Sequence, residues 1–148
     1  ADRRHRSDAH RDRRGPSMIF IDSNVPMYVA GREHPLQAPA RRFLAAVRAG
    51  KIDGCTSTEV LQEILYRYAA LHRLDLARDV YDLFVQICPV VFPVTLADTD
   101  RARDLLASDI SVRDAMHAAV MLNNGVSEIA TFDQGFDSVP GIARAEME

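Results

Sequence analysis

Residues 18–28, MIFIDSNVPMY, decide the fold class. The stretch from Met18 to Ile21 is apolar throughout, which is typical of a strand buried on both faces within a parallel sheet. The strand ends at Asp22, and Pro26 falls where the first turn of a following helix would place it. An apolar strand that passes into a helix predicts an α/β domain, with Asp22 at the carboxyl edge of its sheet.

The rest of the chain alternates strand and helix patterns. Further strands are predicted at residues 52–56, 90–94 and 128–132, with an edge strand at 142–144. Helices are predicted at 36–49, from a capping box at 56–59 to Leu71, and at 74–87, 98–107 and 112–123. This order predicts a three-layer α/β/α fold with a mainly parallel sheet of four to five strands.

Length and composition favour one globular domain. The chain has 148 residues, of which 47% are hydrophobic, enough to bury a core. No apolar run approaches the roughly 18 residues that a membrane-spanning helix needs. The two cysteines, Cys55 and Cys88, lack metal-binding spacing and are predicted to be free, buried thiols in the cytoplasm.

Charge divides the chain at residue 17. Residues 1–17 contain six arginines and three aspartates, whereas residues 18–148 contain 12 basic and 18 acidic residues, a net charge of −6. We predict that 1–17 is a flexible Arg-rich extension and that 18–148 is the functional domain. The extension could instead be an arm that binds nucleic acid or the domain's own acidic site. The acidic domain itself should repel a polyanion unless a cation intervenes.

Four acids occupy positions where parallel α/β domains bind ligands. Asp22 and Asp133 end the first and fourth predicted strands, and Asp114 lies in the first turn of the helix from Val112. At 100° per residue, Glu63 lies at the border of the apolar face of its helix, whereas Glu59 lies further out. We therefore expect Glu63 to point at a half-buried site.

Carboxylates that converge without a basic partner would repel one another and raise each other's pKa. A hard divalent cation such as Mg²⁺ or Mn²⁺ would offset this repulsion, since both prefer oxygen ligands. Such a site binds phosphodiester oxygens and lowers the pKa of a bound water. The pattern thus predicts a metal site that could accept a polyanion.

Each acid also has a purely structural explanation. Asp22 could cap the following helix, Glu63 could pair with Arg67, Asp114 could belong to a capping box begun by Ser111, and Asp133 could be a turn residue ahead of Gly135. Other acids are interpreted as a solvated helix face, namely Asp98, Asp100, Asp104 and Asp109. Asp137 is interpreted as a loop or helix-end residue, and His117 as a packing or surface histidine rather than a base.

Taken together, the segments resemble the PIN-domain ribonucleases, and most closely the VapC-type toxins of type II toxin–antitoxin systems. The resemblance covers nearly the whole domain from Met18. It lies in MIFIDSNVPMY (18–28), STEVLQEILYRY (57–68), RDAMHAAVMLNNG (113–125) and IATFDQGFDSVPGI (129–142). Pro26 departs from the apolar residue usual after the first motif, and residues 1–17 have no counterpart in the family.

The resemblance implies a catalytic metal site formed by Asp22, Glu63, Asp114 and Asp133. Asp22 and Asp114 would be direct ligands of Mg²⁺ or Mn²⁺, and Asp133 would complete the metal shell together with Glu63. Two residues, Thr131 and Asp137, match helper positions of the last motif.

The resemblance also implies a substrate and partners. The substrate would be single-stranded RNA, often a tRNA or rRNA loop. The protein would be a homodimer held inactive by a VapB-type antitoxin, whose basic tail can enter the acidic groove. The 57–88 hairpin has more apolar residues than one core face needs, so part of it could contact a partner, although all of it could also pack internally.

Three alternative functions are considered. A phosphoryl-transfer enzyme or phospho-receiver would need a lysine near the aspartates, and the single lysine, Lys51, precedes the second strand at the wrong end. A non-toxin PIN nuclease of RNA processing and a catalytically silent PIN-like binding module stay open.

Overall fold

The computed structural model describes residues 17–147, so the predicted extension lies outside the described residues except for Ser17. Five strands form one sheet: β1 (Ile19–Ile21), β2 (Gly54–Ser57), β3 (Val90–Phe92), β4 (Glu128–Ala130) and β5 (Ala143–Arg144). The strand order is β3-β2-β1-β4-β5 and every pair is parallel. This arrangement confirms the predicted α/β class and places β1 at the centre.

Within residues 17–147, six helices and one short 3₁₀ helix connect the strands. They are α1 (Asn24–Ala30), α2 (Gln37–Arg48), α3 (Thr58–Ala70), α4 (Leu74–Ile87), α5 (Leu96–Leu105), α6 (Val112–Asn123) and the 3₁₀ helix Gln134–Ser138. Helices consecutive in the chain pack together, α1 on α2, α3 on α4 and α5 on α6. No helix within residues 17–147 is long and apolar enough to cross a membrane.

The central strand forms the core as its apolar sequence predicts. Phe20 and Ile21 are fully buried, and so is Ile129 on the neighbouring strand β4. Cys55 and Cys88 are free and buried, as predicted. Burial of apolar side chains on both faces of β1 therefore fixes its place between β2 and β4, and with it the direction in which Asp22 leaves the sheet.

The start of α3 differs from the prediction by one residue. Ser57, not Thr56, is the N-cap, and its hydroxyl accepts a hydrogen bond from the backbone N–H of Val60. Thr56 is buried in β2, where its hydroxyl donates to the carbonyl of Ile21. The predicted box at 56–59 was therefore wrong, because Thr56 is needed to connect two strands.

Asp98 is buried, so its assignment to a solvated helix face was wrong. Helix α5 begins at Leu96, two residues before the predicted start, and Asp98 accepts hydrogen bonds from the backbone N–H and hydroxyl of Thr95. Its other carboxylate oxygen accepts from the Asn123 side chain at 2.8 Å. Asp98 thus caps α5 and joins it to the end of α6.

Candidate metal centre

Asp22 lies at the carboxyl end of β1, held by contacts to both of its oxygens. It is 5% exposed, and its backbone N–H donates to the carbonyl of Ala130 on β4. Its Oδ1 accepts from the N–H of Ser23 at 2.7 Å, and its Oδ2 accepts from the hydroxyl of Thr131 at 2.8 Å. The carboxylate is therefore fixed by the next residue in the chain and by the first residue after β4.

Glu63 reaches the same place from α3. It is buried, and its carboxylate accepts a hydrogen bond from the hydroxyl of Ser23. Arg67 lies 3.8 Å and Arg113 3.6 Å from its two oxygens. The contact with Arg67 confirms the pairing that the sequence suggested, and Arg113 is a second basic partner that the sequence did not predict. Burial alone would raise the pKa of Glu63, but the nearby His117, Ser23 and Arg113 outweigh it and lower the pKa to about 2.

Asp114 and Asp133 form a second pair of acids, on either side of Gly135. A methyl group at Gly135 would lie 2.7 Å from Oδ2 of Asp114 and 3.1 Å from Oδ1 of Asp133. Burial raises the pKa of Asp114, and the negative charges of Asp133 and Asp22 raise it further. Oδ1 of Asp114 is buried without a hydrogen-bond partner among residues 17–147. An unpaired carboxylate oxygen in this position indicates a missing cation or proton.

The helix cap suggested for Asp22 is not formed, because Ser23 is the N-cap of α1 and no side chain caps that helix. The contacts suggested for the other three acids are present alongside this arrangement. They are the Arg67–Glu63 contact, the bond from the Asp114 N–H to the Ser111 hydroxyl, and the bond from the Gly135 N–H to Asp133 Oδ1 at 2.8 Å. Each of these contacts involves either a backbone N–H or only one of the two carboxylate oxygens. Together they orient these three acids and leave oxygens free for another partner.

His117 is fully buried beside the acids, a position that the sequence did not predict. It lies three residues after Asp114 on α6, and its Nε2 is 3.6 Å from Oε2 of Glu63 and 3.9 Å from Oδ1 of Asp22. Burial alone would lower its pKa, but Glu63 and Asp22 outweigh burial and raise it. Of the two predicted locations, packing and surface, the structure shows packing, because α6 is buried on almost all sides.

The remaining helper residue of the last motif lies at the surface. Asp137 is exposed and forms two hydrogen bonds with Arg144, at 2.8 and 3.0 Å. This ion pair lowers the pKa of Asp137. Asp137 is next to the last residue of the 3₁₀ helix, which agrees with its interpretation as a loop or helix-end residue. Thr131 is the helper residue that contacts an acid directly.

A cavity of about 230 Å³ lies beside three of the four acids. Asp22, Glu63 and Asp133 line it, and Arg67 and Arg113 stand at its mouth with side chains 39% and 45% exposed. Ligand atoms of three buried residues lie within 4.8 Å of one another, namely Asp22, Glu63 and His117. An oxygen-rich donor set that includes buried groups without partners fits a divalent cation.

Replacing Gly135 by alanine should disturb the metal centre without unfolding the domain. The new methyl would overlap Oδ2 of Asp114, which is the end of a side chain and can move, whereas backbone could not. A displacement of about 1 Å in a reacting site costs up to about 10²-fold in rate. Because the sequence resemblance implies a ribonuclease, we expect RNA cleavage to fall by about 10- to 10²-fold in Gly135→Ala, measured with fluorescent RNA.

Gln134→Ala is the matched control, since Gln134 is exposed in the same turn. Its cleavage rate and melting temperature should equal those of the parent. Parental cleavage by Gly135→Ala would show that the position of the Asp114 carboxylate does not matter.

Comparisons with known proteins agree with this geometry. The profile of the PIN domain family matches residues 19–142. A VapC ribonuclease of Mycobacterium bovis and ribonuclease VapC13 of Mycobacterium tuberculosis are each 40% identical over 129 residues, covering 86% of this chain and 98% of theirs. Ribonuclease VapC23 of M. tuberculosis is 38% identical over 118 residues, covering 78% of this chain and 93% of its own. The chain therefore belongs to the PIN-domain family, and within it to the VapC ribonucleases.

Solved structures share the fold. The sarcin-ricin loop cleaving toxin VapC20 of M. tuberculosis superposes with a TM-score of 0.66 at 22% identity, over 84% of this chain and 98% of the other. DNA-bound VapBC from Salmonella typhimurium has a TM-score of 0.65 at 17% identity, over 88% of this chain and 98% of the other. At such identities the likeness concerns the fold alone.

Proposed function

We propose that this protein is a metal-dependent endoribonuclease that hydrolyses RNA phosphodiester bonds and acts as the toxin of a type II toxin–antitoxin pair. The observation that carries the proposal is the convergence of four acids from four separate segments on one site in a VapC-family fold. A silent binding module would have no need for Asp114 to keep a buried, unpaired oxygen.

Asp22 and Asp114 are proposed to hold Mg²⁺ or Mn²⁺, with Asp133 and Glu63 completing the shell and orienting the attacking water. A bound divalent ion supplies a water of lowered pKa and stabilises the charge that develops on the phosphate oxygens. Ser23 and Thr131 hold Asp22 in place for this task, as their hydrogen bonds indicate.

Arg67 and Arg113 are proposed to contact the RNA backbone at the mouth of the cavity. Each is half-exposed and lies within 4 Å of Glu63, so part of its charge stays available to a phosphate. These cations help to explain how a domain with a net charge of −6 in residues 18–148 could bind a polyanion.

The partners are proposed from the relatives. The structural neighbours include toxin–antitoxin complexes, which supports a VapB-type antitoxin for this chain. Exposed apolar side chains on the α3–α4 hairpin support a homodimer or an antitoxin contact there, namely Leu65, Tyr66, Leu71, Leu74, Leu83 and Val85. The structural neighbour described as a sarcin-ricin loop cleaving toxin supports a single-stranded loop of tRNA or rRNA as substrate.

Metal removal tests the proposed function. Purified protein should cleave RNA with Mg²⁺ or Mn²⁺, and EDTA should abolish cleavage because the carboxylates then lack their cation. Asp22→Asn should be inactive with either metal while circular dichroism shows a folded domain. Cleavage in EDTA at the full rate, or by Asp22→Asn at the parental rate, would rule out the proposed mechanism.

The two remaining alternatives are separated by further results. A silent module would bind Mn²⁺ no better than its Asp22→Asn variant and would cleave nothing. A processing nuclease without a toxin role would be active, yet its expression would not arrest growth and no antitoxin would relieve it.

A further inference from the structure

The imidazole of His117 is buried at the candidate metal centre, and the roles proposed for the four acids do not account for it. His117 is 0% exposed, and neither of its ring nitrogens has a hydrogen-bond partner among residues 17–147. Its ring is near Phe20 and Phe136, at centroid distances of 5.8 and 6.3 Å. Burying an imidazole beside two aromatic rings with both nitrogens unpaired costs folding free energy, unless a further group binds one of the nitrogens.

The environment of Nε2 shows what that partner must be. Nε2 faces two carboxylates, with Oε2 of Glu63 at 3.6 Å and Oδ1 of Asp22 at 3.9 Å. A bare nitrogen lone pair directed at two anions would be repelled by both. A positive group must therefore stand between the nitrogen and these oxygens, either a proton on Nε2 or a metal ion.

The distances favour a metal ion over a proton. N–H···O hydrogen bonds have nitrogen–oxygen distances of about 2.7–3.2 Å, and both contacts of Nε2 are longer. Ligand atoms around an ion bound at about 2.1 Å lie about 3–4 Å apart. The separations at Nε2 thus suit three donors arranged around a cation better than two hydrogen bonds.

We propose that His117 is a nitrogen ligand of the active-site metal, together with carboxylate oxygens of Asp22 and Glu63. This inference rests on the proposed function, because it requires that the acids bind a divalent ion. Asp22 would belong to this set of ligands and also to the set that it forms with Asp114 and Asp133.

The nitrogen donor has a consequence for metal preference. Mg²⁺ favours oxygen ligands and gives up its water reluctantly, whereas imidazole suits first-row transition metals. A site with an Asp, Glu and His donor set should therefore prefer Mn²⁺ to Mg²⁺ more strongly than a site of carboxylates alone. His117→Gln should lose Mn²⁺ affinity and lose less for Mg²⁺.

Pulsed electron paramagnetic resonance of the Mn²⁺-loaded full chain tests the assignment. Directly bound imidazole gives a ¹⁴N modulation of the Mn²⁺ signal, and this should become a ¹⁵N pattern when the histidines are labelled with ¹⁵N. The modulation should vanish in His117→Gln and persist in His34→Gln, which removes an exposed imidazole. Calorimetry should show Mn²⁺ binding weakened by about tenfold or more in His117→Gln, since even outer partners contribute about 10- to 10²-fold.

The possible results separate the two proposals. Parental protein that binds no Mn²⁺ would overturn the metal-dependent function itself. Mn²⁺ bound with no nitrogen modulation would overturn only the role of His117, and this result needs no variant that has to fold. A nitrogen modulation that persists in His117→Gln would also overturn it, because another group would then be the ligand.

Discussion

Asp114→Asn should reduce RNA cleavage by about 10³-fold or more while leaving the metal-free domain at least as stable as the parent. A metal ion stabilises the transition state by several kcal/mol, and losing that stabilisation corresponds to a rate change of this size. Asp114 is buried beside Asp133 and one of its oxygens has no partner, so its negative charge opposes folding when no metal is present. Cleavage assays with Mn²⁺ and thermal unfolding in EDTA measure the two effects.

The pH dependence of unfolding checks the sign of this effect. Burial and the neighbouring acids raise the pKa of Asp114, so the folded, metal-free protein binds this proton more tightly than the unfolded chain. The stability that Asp114 contributes is therefore present below its unfolded pKa of about 4 and is lost as the pH rises through the higher folded value. The melting temperature of Asp114→Asn relative to the parent should thus be higher at pH 7 than at pH 4.

Asp109→Asn is the matched control, since it makes the same change of charge at an exposed position just before α6. Its cleavage rate should stay within about twofold of the parent, because an exposed charge contributes little. An Asp114→Asn variant with parental cleavage would remove Asp114 from the metal centre.

Glu63→Gln should also inactivate the protein, but with the opposite effect on stability. The carboxylate of Glu63 accepts from Ser23 and lies beside Arg67 and Arg113, so an amide would direct its NH₂ group at one of these donors. Replacing one partner of a buried charged contact costs about 1–3 kcal/mol. We expect cleavage to fall by about 10²-fold and the midpoint of urea unfolding to shift to lower urea.

Glu59→Gln is the control for this prediction, because it lies one turn earlier on α3 and is only half-buried. It should change neither cleavage nor the urea midpoint by a measurable amount. If Glu59→Gln were the inactive variant and Glu63→Gln the active one, the position of Glu63 at the border of the buried face would have misidentified the functional acid.

The four acids could be located from sequence because their positions follow from strand and helix periodicity. A parallel strand buried on both faces ends at the carboxyl edge of its sheet, and Asp22 is the first residue after β1. Glu63 lies at the border of an apolar face, which is where a half-buried side chain belongs. These rules need only local patterns, and so they hold without knowledge of the tertiary contacts.

His117 could not be located in this way. A helical wheel assumes one buried face and one solvated face, but α6 buries seven consecutive or nearly consecutive residues between 114 and 121. On such a helix a polar residue outside the apolar arc still faces protein, in this case two carboxylates. Only the tertiary structure shows which polar group it meets.

The prediction that Asp98 lies on a solvated helix face was wrong for a related reason. Four acids at short spacing, from Asp98 to Asp109, resemble a solvated face. Leu96 lies outside the expected helix, although it begins α5 and is 77% exposed. The true start at Thr95 turns Asp98 inward to cap the helix and to bind Asn123. Both partners depend on the exact helix boundary and on a second helix, which spacing alone does not supply.

The α3–α4 connection at residues 71–73 divides the chain between the four acids that we propose form the active site. Asp22 and Glu63 precede it, whereas Asp114 and Asp133 follow it. A toxin cut at this exposed connection would leave two fragments, each with one pair of carboxylates and neither with a complete catalytic centre. Reassembly of the sheet would restore the centre, so this connection is the natural place to divide the enzyme into a split reporter whose nuclease activity signals that two attached proteins have met.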